Sequence, residues 1–249
     1  MTLIALRQPN AVFGTEFINN NMNVNRSVRE TNILKEFLDG NIPDFLRKFT
    51  QITVTDDNNT LTYLVSSDYI SIGSDSDYVR MPMNPLTAQK IADQYDCSLP
   101  TRKMVIDIWK QSTYQLAPLP WGPPYDASMM STNRIQIHNQ RIQNQLVGKD
   151  ISKLISGHKK DVVLSNKIAP NNPNKKVVIF GWIQSNGKPI QGLNYWSHED
   201  TYEDYSHGIR LVANDAMLNH SPVRIQDIYN DATLSYLISD EGILTFVKY

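Results

Sequence analysis

The run Tyr205-Ser206-His207-Gly208-Ile209-Arg210-Leu211-Val212 places hydroxyls, an imidazole and a guanidinium within six residues at the start of an apolar stretch. Such groups are costly to bury unless they are paired or used. An imidazole moves protons near neutral pH. A serine hydroxyl becomes a nucleophile beside a base, and a guanidinium grips a carboxylate through two parallel hydrogen bonds. A second knot, Ser156-Gly157-His158-Lys159-Lys160-Asp161, opens another apolar stretch, and His198 lies in the aromatic and acidic segment Trp196–Asp204. Three of the five histidines therefore fall within 50 residues, each at the edge of an expected element.

Spacing limits what these residues can do together. Successive side chains on a strand point to opposite faces, so Ser206 and His207 cannot serve one another, and His158 and Asp161 can pair only where the first residues of that stretch are loop. A Ser206 nucleophile needs His158 or His198 as its base, with Asp161 or Asp204 orienting the imidazole. The alternative is a metal site, in which His158, His198 and His207 with Asp161 or Asp204 hold a zinc ion that keeps one position open for water. No HExxH spacing marks such a site. Arg210, Trp196 and Tyr205 are the candidate substrate contacts. The competing reading is structural: His158 and the lysines cap a strand end, Arg210 pairs with Glu203 or Asp204, and the tyrosines and His207 pack.

The run Ser206-His207-Gly208-Ile209-Arg210-Leu211, followed by Asp215-Ala216 and Leu218, resembles the serine-histidine-glycine-cysteine-isoleucine-arginine signature of L,D-transpeptidases. In that family the cysteine attacks a peptidoglycan stem peptide. Here Ile209 follows Gly208 directly, so the family's nucleophile has no counterpart in the run. His198, His207, Arg210 and Leu211 are loosely similar to the end of the site in zinc-dependent murein endopeptidases. Their upstream histidine and aspartate are spaced more widely than His158 and Asp161. A longer pattern resembles a group of bacterial and phage-borne proteins with no established function. It comprises Pro43-Asp44-Phe45-Leu46, Leu99-Pro100-Thr101, Gly157 to Val163, Gly187 to Gln191 and Asp204 to Gly208. The first two resemblances imply a hydrolase acting on a peptide or glycan of the cell wall. The third leaves room for a non-catalytic binding or structural module of a phage or secretion particle, with Tyr195, Trp196, Tyr202 and Tyr205 as its platform.

The positioning elements follow from periodicity and punctuation. Ser27 and Glu30 have the spacing of a capping box ahead of a helix through Leu38, with Gly40 placed to end it. Strands are expected at 52–55, 61–66 and 69–72, with Asp56-Asp57-Asn58-Asn59 as a hairpin connection. Helices are expected from Pro85 to Tyr95, from a Thr101 cap through Trp109, and from Asn133 to Val147 with His138 on the inward face. Strands are expected again at 161–165, 177–183 and 205–212, then helices at 227–229 and 231–238. The stretch Ala117 to Pro124 carries four prolines and reads as a polyproline-like strap. The fold class is α+β, with a helical N-terminal part and a small mixed or antiparallel sheet in the C-terminal part. The boundaries are 1–116, a strap at 117–132, and 133–249 carrying the candidate site; a single domain fits the pattern equally well.

Composition narrows the partners. The chain has 249 residues, 41% hydrophobic and 20% charged, with a net charge of −1. That balance gives no electrostatic footprint for nucleic acid or an anionic membrane, and no apolar run reaches bilayer length. The patch Leu3–Leu6 is too short for a signal-peptide core. The lone Cys97 precludes an internal disulfide and a cysteine-rich zinc site, and its apolar setting suggests a small buried side chain.

Overall fold

The computed structural model describes residues 4–168 and 175–249; Leu3, at the start of the Leu3–Leu6 patch, lies outside them. Helices α1 (Gly14–Asn20) and α2 (Arg26–Leu38) come first. Asn25, rather than Ser27, caps α2: its side chain accepts the Val28 N–H at 2.9 Å. The expected capping box does not form because Glu30 is turned inward, where it accepts the Asn84 N–H at 3.0 Å. A short 3-10 turn, Asp44–Arg47, leads into the antiparallel pair β1 (Thr50–Thr55) and β2 (Thr60–Val65). The hairpin β3 (Ser71–Ser74) and β4 (Asp77–Arg80) follows, then α3 (Pro85–Gln94), β5 (Cys97–Ser98) and α4 (Arg102–Gln111). Thr101 caps α4 as its position implied, accepting from the Met104 N–H at 3.1 Å.

After β6 (Tyr114–Gln115) the proline-rich segment runs without helix or strand to a short 3-10 turn at Ala127–Met130. Then come α5 (Thr132–Leu146), β7 (Ile155–Ser156), β8 (Lys160–Val162), β9 (Ile179–Ile183) and β10 (Pro189–Asn194). The chain closes with β11 (His207–Gly208), β12 (Val212–Leu218), β13 (Ser221–Arg224) and α6 (Ile225–Asn230). The helix expected at 231–238 is reduced to a 3-10 turn at Ser235–Leu237.

The architecture is α+β, with two principal sheets. One has the order β1-β2-β12-β13, with β5 also on β12; the other has the order β10-β9-β8-β11. The first draws β1 and β2 from before the proline-rich segment and β12 and β13 from after it. The strand expected over 205–212 is in fact two strands in different sheets. His207 and Gly208 pair in parallel with Lys160 and Asp161, whereas Val212 pairs with Val65 and Ser98. Between them Ile209, Arg210 and Leu211 cross over, and the Ile70 and Ser66 N–H groups donate to the carbonyls of Ile209 and Leu211, both at 2.9 Å. One continuous hydrophobic core holds Ile52, Tyr63 and Val65 of the first sheet together with Val162, Ile179 and Phe180 of the second.

Gly208 sets how closely the crossing approaches its neighbours. A Cβ there would lie 2.6 Å from the Tyr69 ring and 2.8 Å from the Lys159 Cβ, inside any normal contact. Gly208→Ala is expected to cost about 1–3 kcal/mol by overpacking. Urea denaturation monitored by circular dichroism measures this, and an unchanged midpoint would contradict the close packing.

Candidate functional site

The sequence-derived site residues divide into an inner and an outer cluster. The inner cluster lies where the chain crosses between the sheets. The Asp68 carboxylate accepts the Tyr69 N–H at 2.7 Å. It also accepts Arg80 Nε and Nη2, at 2.9 and 2.6 Å. His158 Nε2 lies 3.2 Å from Asp68 Oδ1, an electrostatic approach without the alignment of a hydrogen bond. The Tyr69 hydroxyl donates to Asp161 Oδ2 at 2.8 Å. Arg210 lies over the Tyr69 ring, 4.5 Å from its centroid. Its Nη1 and Nη2 donate to the carbonyls of Ser66 and Ile155, at 2.6 and 2.7 Å. Lys159 Nζ donates to the Tyr205 carbonyl at 2.6 Å.

Burial dominates the protonation of this cluster. It drives the His158 imidazole down to about 4 against the pull of Asp68, the Lys159 ammonium down to about 7 and the Asp161 carboxyl up to about 7. Desolvation opposes ionisation of Asp68, but the Arg80 guanidinium, with its charge and two hydrogen bonds, outweighs it and holds the carboxyl well below the usual range. The cavity beside Tyr69, Lys159, Asp161 and Arg210 holds about 10 Å³. That is roughly the room needed for one water and far too little for a substrate. The inner cluster is therefore a packed polar core rather than a substrate site.

The outer cluster lies at the start of β11. The Asp204 carboxylate accepts both the backbone N–H of Ser206, at 2.8 Å, and its hydroxyl. The Tyr202 hydroxyl donates to the other oxygen at 3.2 Å. Burial opposes ionisation of Asp204, but His207, Lys160 and the Ser206 hydrogen bonds together hold its carboxyl below the usual range. His207 is fully buried, and neither ring nitrogen has a protein partner among the described residues. Burial drives its imidazole down to about 4, although Asp204 pulls the other way. The Tyr202 ring meets His207 edge-on with centroids 5.7 Å apart, and His198 stacks on the outer side of that pair at 3.8 Å and 8° from Tyr202.

Lys160, half-buried and lowered by desolvation, lies with Nζ 4.3 Å from the Trp182 ring centroid. Trp182 has φ of 52°, in the left-handed region, a strained choice for an aromatic residue. Its backbone N–H donates to the Lys159 carbonyl at 2.9 Å, and its indole N–H to the His158 carbonyl at 3.2 Å. The strain thus carries the indole beneath Lys160.

Each sequence-derived residue now has a place. Ser206 is tied to Asp204 and does not face an imidazole. His158 and Asp161 belong to the inner cluster, while His198 and His207 belong to the outer one. The three histidines thus do not form one ligand set, and no group of three or more His, Cys, Asp or Glu side chains suited to a metal occurs among the described residues. Arg210 is buried with its terminal nitrogens spent on carbonyls. It pairs with neither Glu203 nor Asp204; Glu203 instead takes Arg29 at 2.6 Å and Arg26 at 2.9 Å. The Tyr205 hydroxyl accepts the Trp121 N–H at 2.6 Å and so anchors the proline-rich segment. Trp196 is 62% exposed. Sequence reading overlooked Asp68, Arg80 and Trp182, and it placed Tyr202 in a surface platform rather than beside Asp204 and His207. The cluster Ser66-Ser67-Asp68 between two apolar strands was the signal for Asp68, since polar residues there are either turn or buried network.

No family model matches the chain, and no curated protein or solved structure matches it.

The neutral burial of His207 has a measurable consequence. In the unfolded chain the imidazole takes a proton near pH 6.5, whereas in the folded chain it does so only near pH 4. Between those values the unfolded state binds more protons, so stability falls as the pH falls. Compared with His207→Gln, the wild type should lose on the order of 3 kcal/mol between pH 7 and pH 4. Urea denaturation of both proteins across that range tests this, and a pH-independent difference would refute it.

Proposed function

We propose that the chain is a hydrolase whose outer cluster performs general acid–base catalysis on a peptide or glycan of the cell wall. The observation that supports this best is the His207 imidazole, held neutral beside an ionised carboxylate, with neither nitrogen hydrogen-bonded to a described residue. A neutral imidazole accepts a proton at physiological pH, and Asp204 favours the imidazolium that results. In this reading His207 takes a proton from an attacking water and returns it to the leaving amine or alcohol. Lys160, on the more exposed side, stabilises the negative charge that develops on the substrate oxygen. Water is the nucleophile because the Ser206 hydroxyl is committed to Asp204. His207 is fully buried with the Tyr202 ring edge-on against it, so in this reading substrate reaches the imidazole only when Tyr202 moves aside. The cell-wall class of substrate rests on the resemblance of the 206–211 run.

His207→Gln is expected to reduce release of soluble fragments from purified peptidoglycan by about 100-fold or more, with its circular dichroism unchanged. Asp204→Asn should lose activity as well and shift the pH profile. Full activity in both variants would remove the catalytic role.

The second reading is a binding module, favoured by one observation. Trp196 is 62% exposed and meets Tyr195 edge-on at 4.9 Å, the kind of aromatic platform that stacks on sugars or partner chains. Wild-type protein that cleaves no cell-wall material, yet binds it in a manner lost in Trp196→Ala, would favour this module over the hydrolase.

A further inference from the structure

A separate cavity lies on the far side of Trp109, between α4 and the β9–β10 hairpin. Its volume is about 360 Å³, within the range typical of small-ligand sites. The floor is Phe180 and Ile183, both buried, and the walls are the half-buried Ile106 and Trp109. Ile106 and Trp109 fall on one face of α4 at a spacing of three, which opens that face toward the hairpin. Gly187 forms the lip: its φ is +80°, and a Cβ there would sit 3.6 Å from the Trp109 ring.

The rim is charged, and its balance is positive. Arg102 is neutralised by Asp240 at 2.7 Å. Lys110, exposed at the same rim, makes no ion pair with a described residue. Two cations and one carboxylate leave a single net positive charge over an apolar hollow.

We propose that this cavity binds a small organic monoanion with a flat apolar body, such as an aromatic carboxylate. The body lies against Trp109, Phe180 and Ile106, and the carboxylate meets Lys110. Apolar walls contribute affinity in proportion to the surface they remove from water, while the one unmatched cation selects the charged end. A longer apolar chain would overrun the volume, and a dianion would exceed the rim charge. None of the residues assigned to proton transfer at His207 lines this cavity, so the proposal stands apart from that reading.

The test compares 1-naphthoate with the neutral 1-naphthalenemethanol by isothermal titration, with tryptophan fluorescence as a second readout. The expected result is binding of both, with naphthoate tighter by about threefold or more, the preference that a partly exposed ion pair provides. Lys110→Gln should erase that preference while leaving the alcohol unaffected. Ile106→Trp should abolish binding of both probes, and Pro189→Trp at the exposed edge does the same if Ile106→Trp fails to fold. Trp109→Phe should remove the fluorescence change. No binding of either probe, equal affinities in the wild type, or binding that survives the filled cavity would overturn the proposal. So would a concentration-dependent dimer that occludes the cavity from both probes.

Discussion

Everything at the centre of this molecule depends on keeping the Asp68 carboxylate charged in a fully buried site. Transfer of a lone carboxylate into such an environment costs several kcal/mol or more, and the cost is met only by complete pairing. Arg80 supplies two donors and the Tyr69 backbone a third, while His158 approaches from the remaining side. Each partner is itself buried; Arg80 and Tyr69 are hydrogen-bonded in turn, whereas neither His158 nitrogen has a hydrogen-bond partner among the described residues. Tyr69 reaches on to Asp161, Arg210 lies across the Tyr69 ring, and the guanidinium of Arg210 takes carbonyls from Ser66 and Ile155. A network of this kind tolerates one arrangement of the strands that carry it.

That requirement explains why the chain leaves one sheet and enters the other between Gly208 and Val212. The crossing places Arg210 between the carbonyls left exposed where the strands part, and a small residue at 208 lets β11 approach Tyr69 and Lys159. The same crossing sets the direction of the residues just before it. Asp204 closes the turn through Ser206, and His207 is left facing Tyr202 and Lys160 instead of the network. The rigid inner cluster thereby acts as the support on which the outer one is built. The proton transfer proposed for His207 would gain from such a base, because the imidazole keeps one orientation.

The fold class was legible from periodicity, and so were most helices. The Thr101 cap, the Asp56–Asn59 connection and the inward face of His138 follow from local chemistry that tertiary contacts did not override. The α2 cap was misassigned for a physical reason: a buried Glu30 bonded to a distant backbone is worth more than the same side chain reaching back along its own helix. The final helix is reduced to a 3-10 turn although Leu234, Leu237 and Ile238 pack in the core, because the Asp231 carboxylate holds the N–H groups of Thr233 and Leu234 in a local turn.

The candidate site shows where sequence stops. By itself the sequence determined that His158, His207, Asp161, Ser206 and Arg210 sit at element edges, and that Ser206 and His207 could not act as a pair on one strand. Only the tertiary structure decided which of these residues meet. It sent His158 to Asp68 and His207 to Asp204, and it turned Arg210 from a ligand contact into an internal brace. The reason is that pairing of a buried charge is settled by whatever partner the sheets bring within hydrogen-bond reach. For Asp68 and His158 that partner lies 90 residues away in the chain, a separation across which local pattern carries no information.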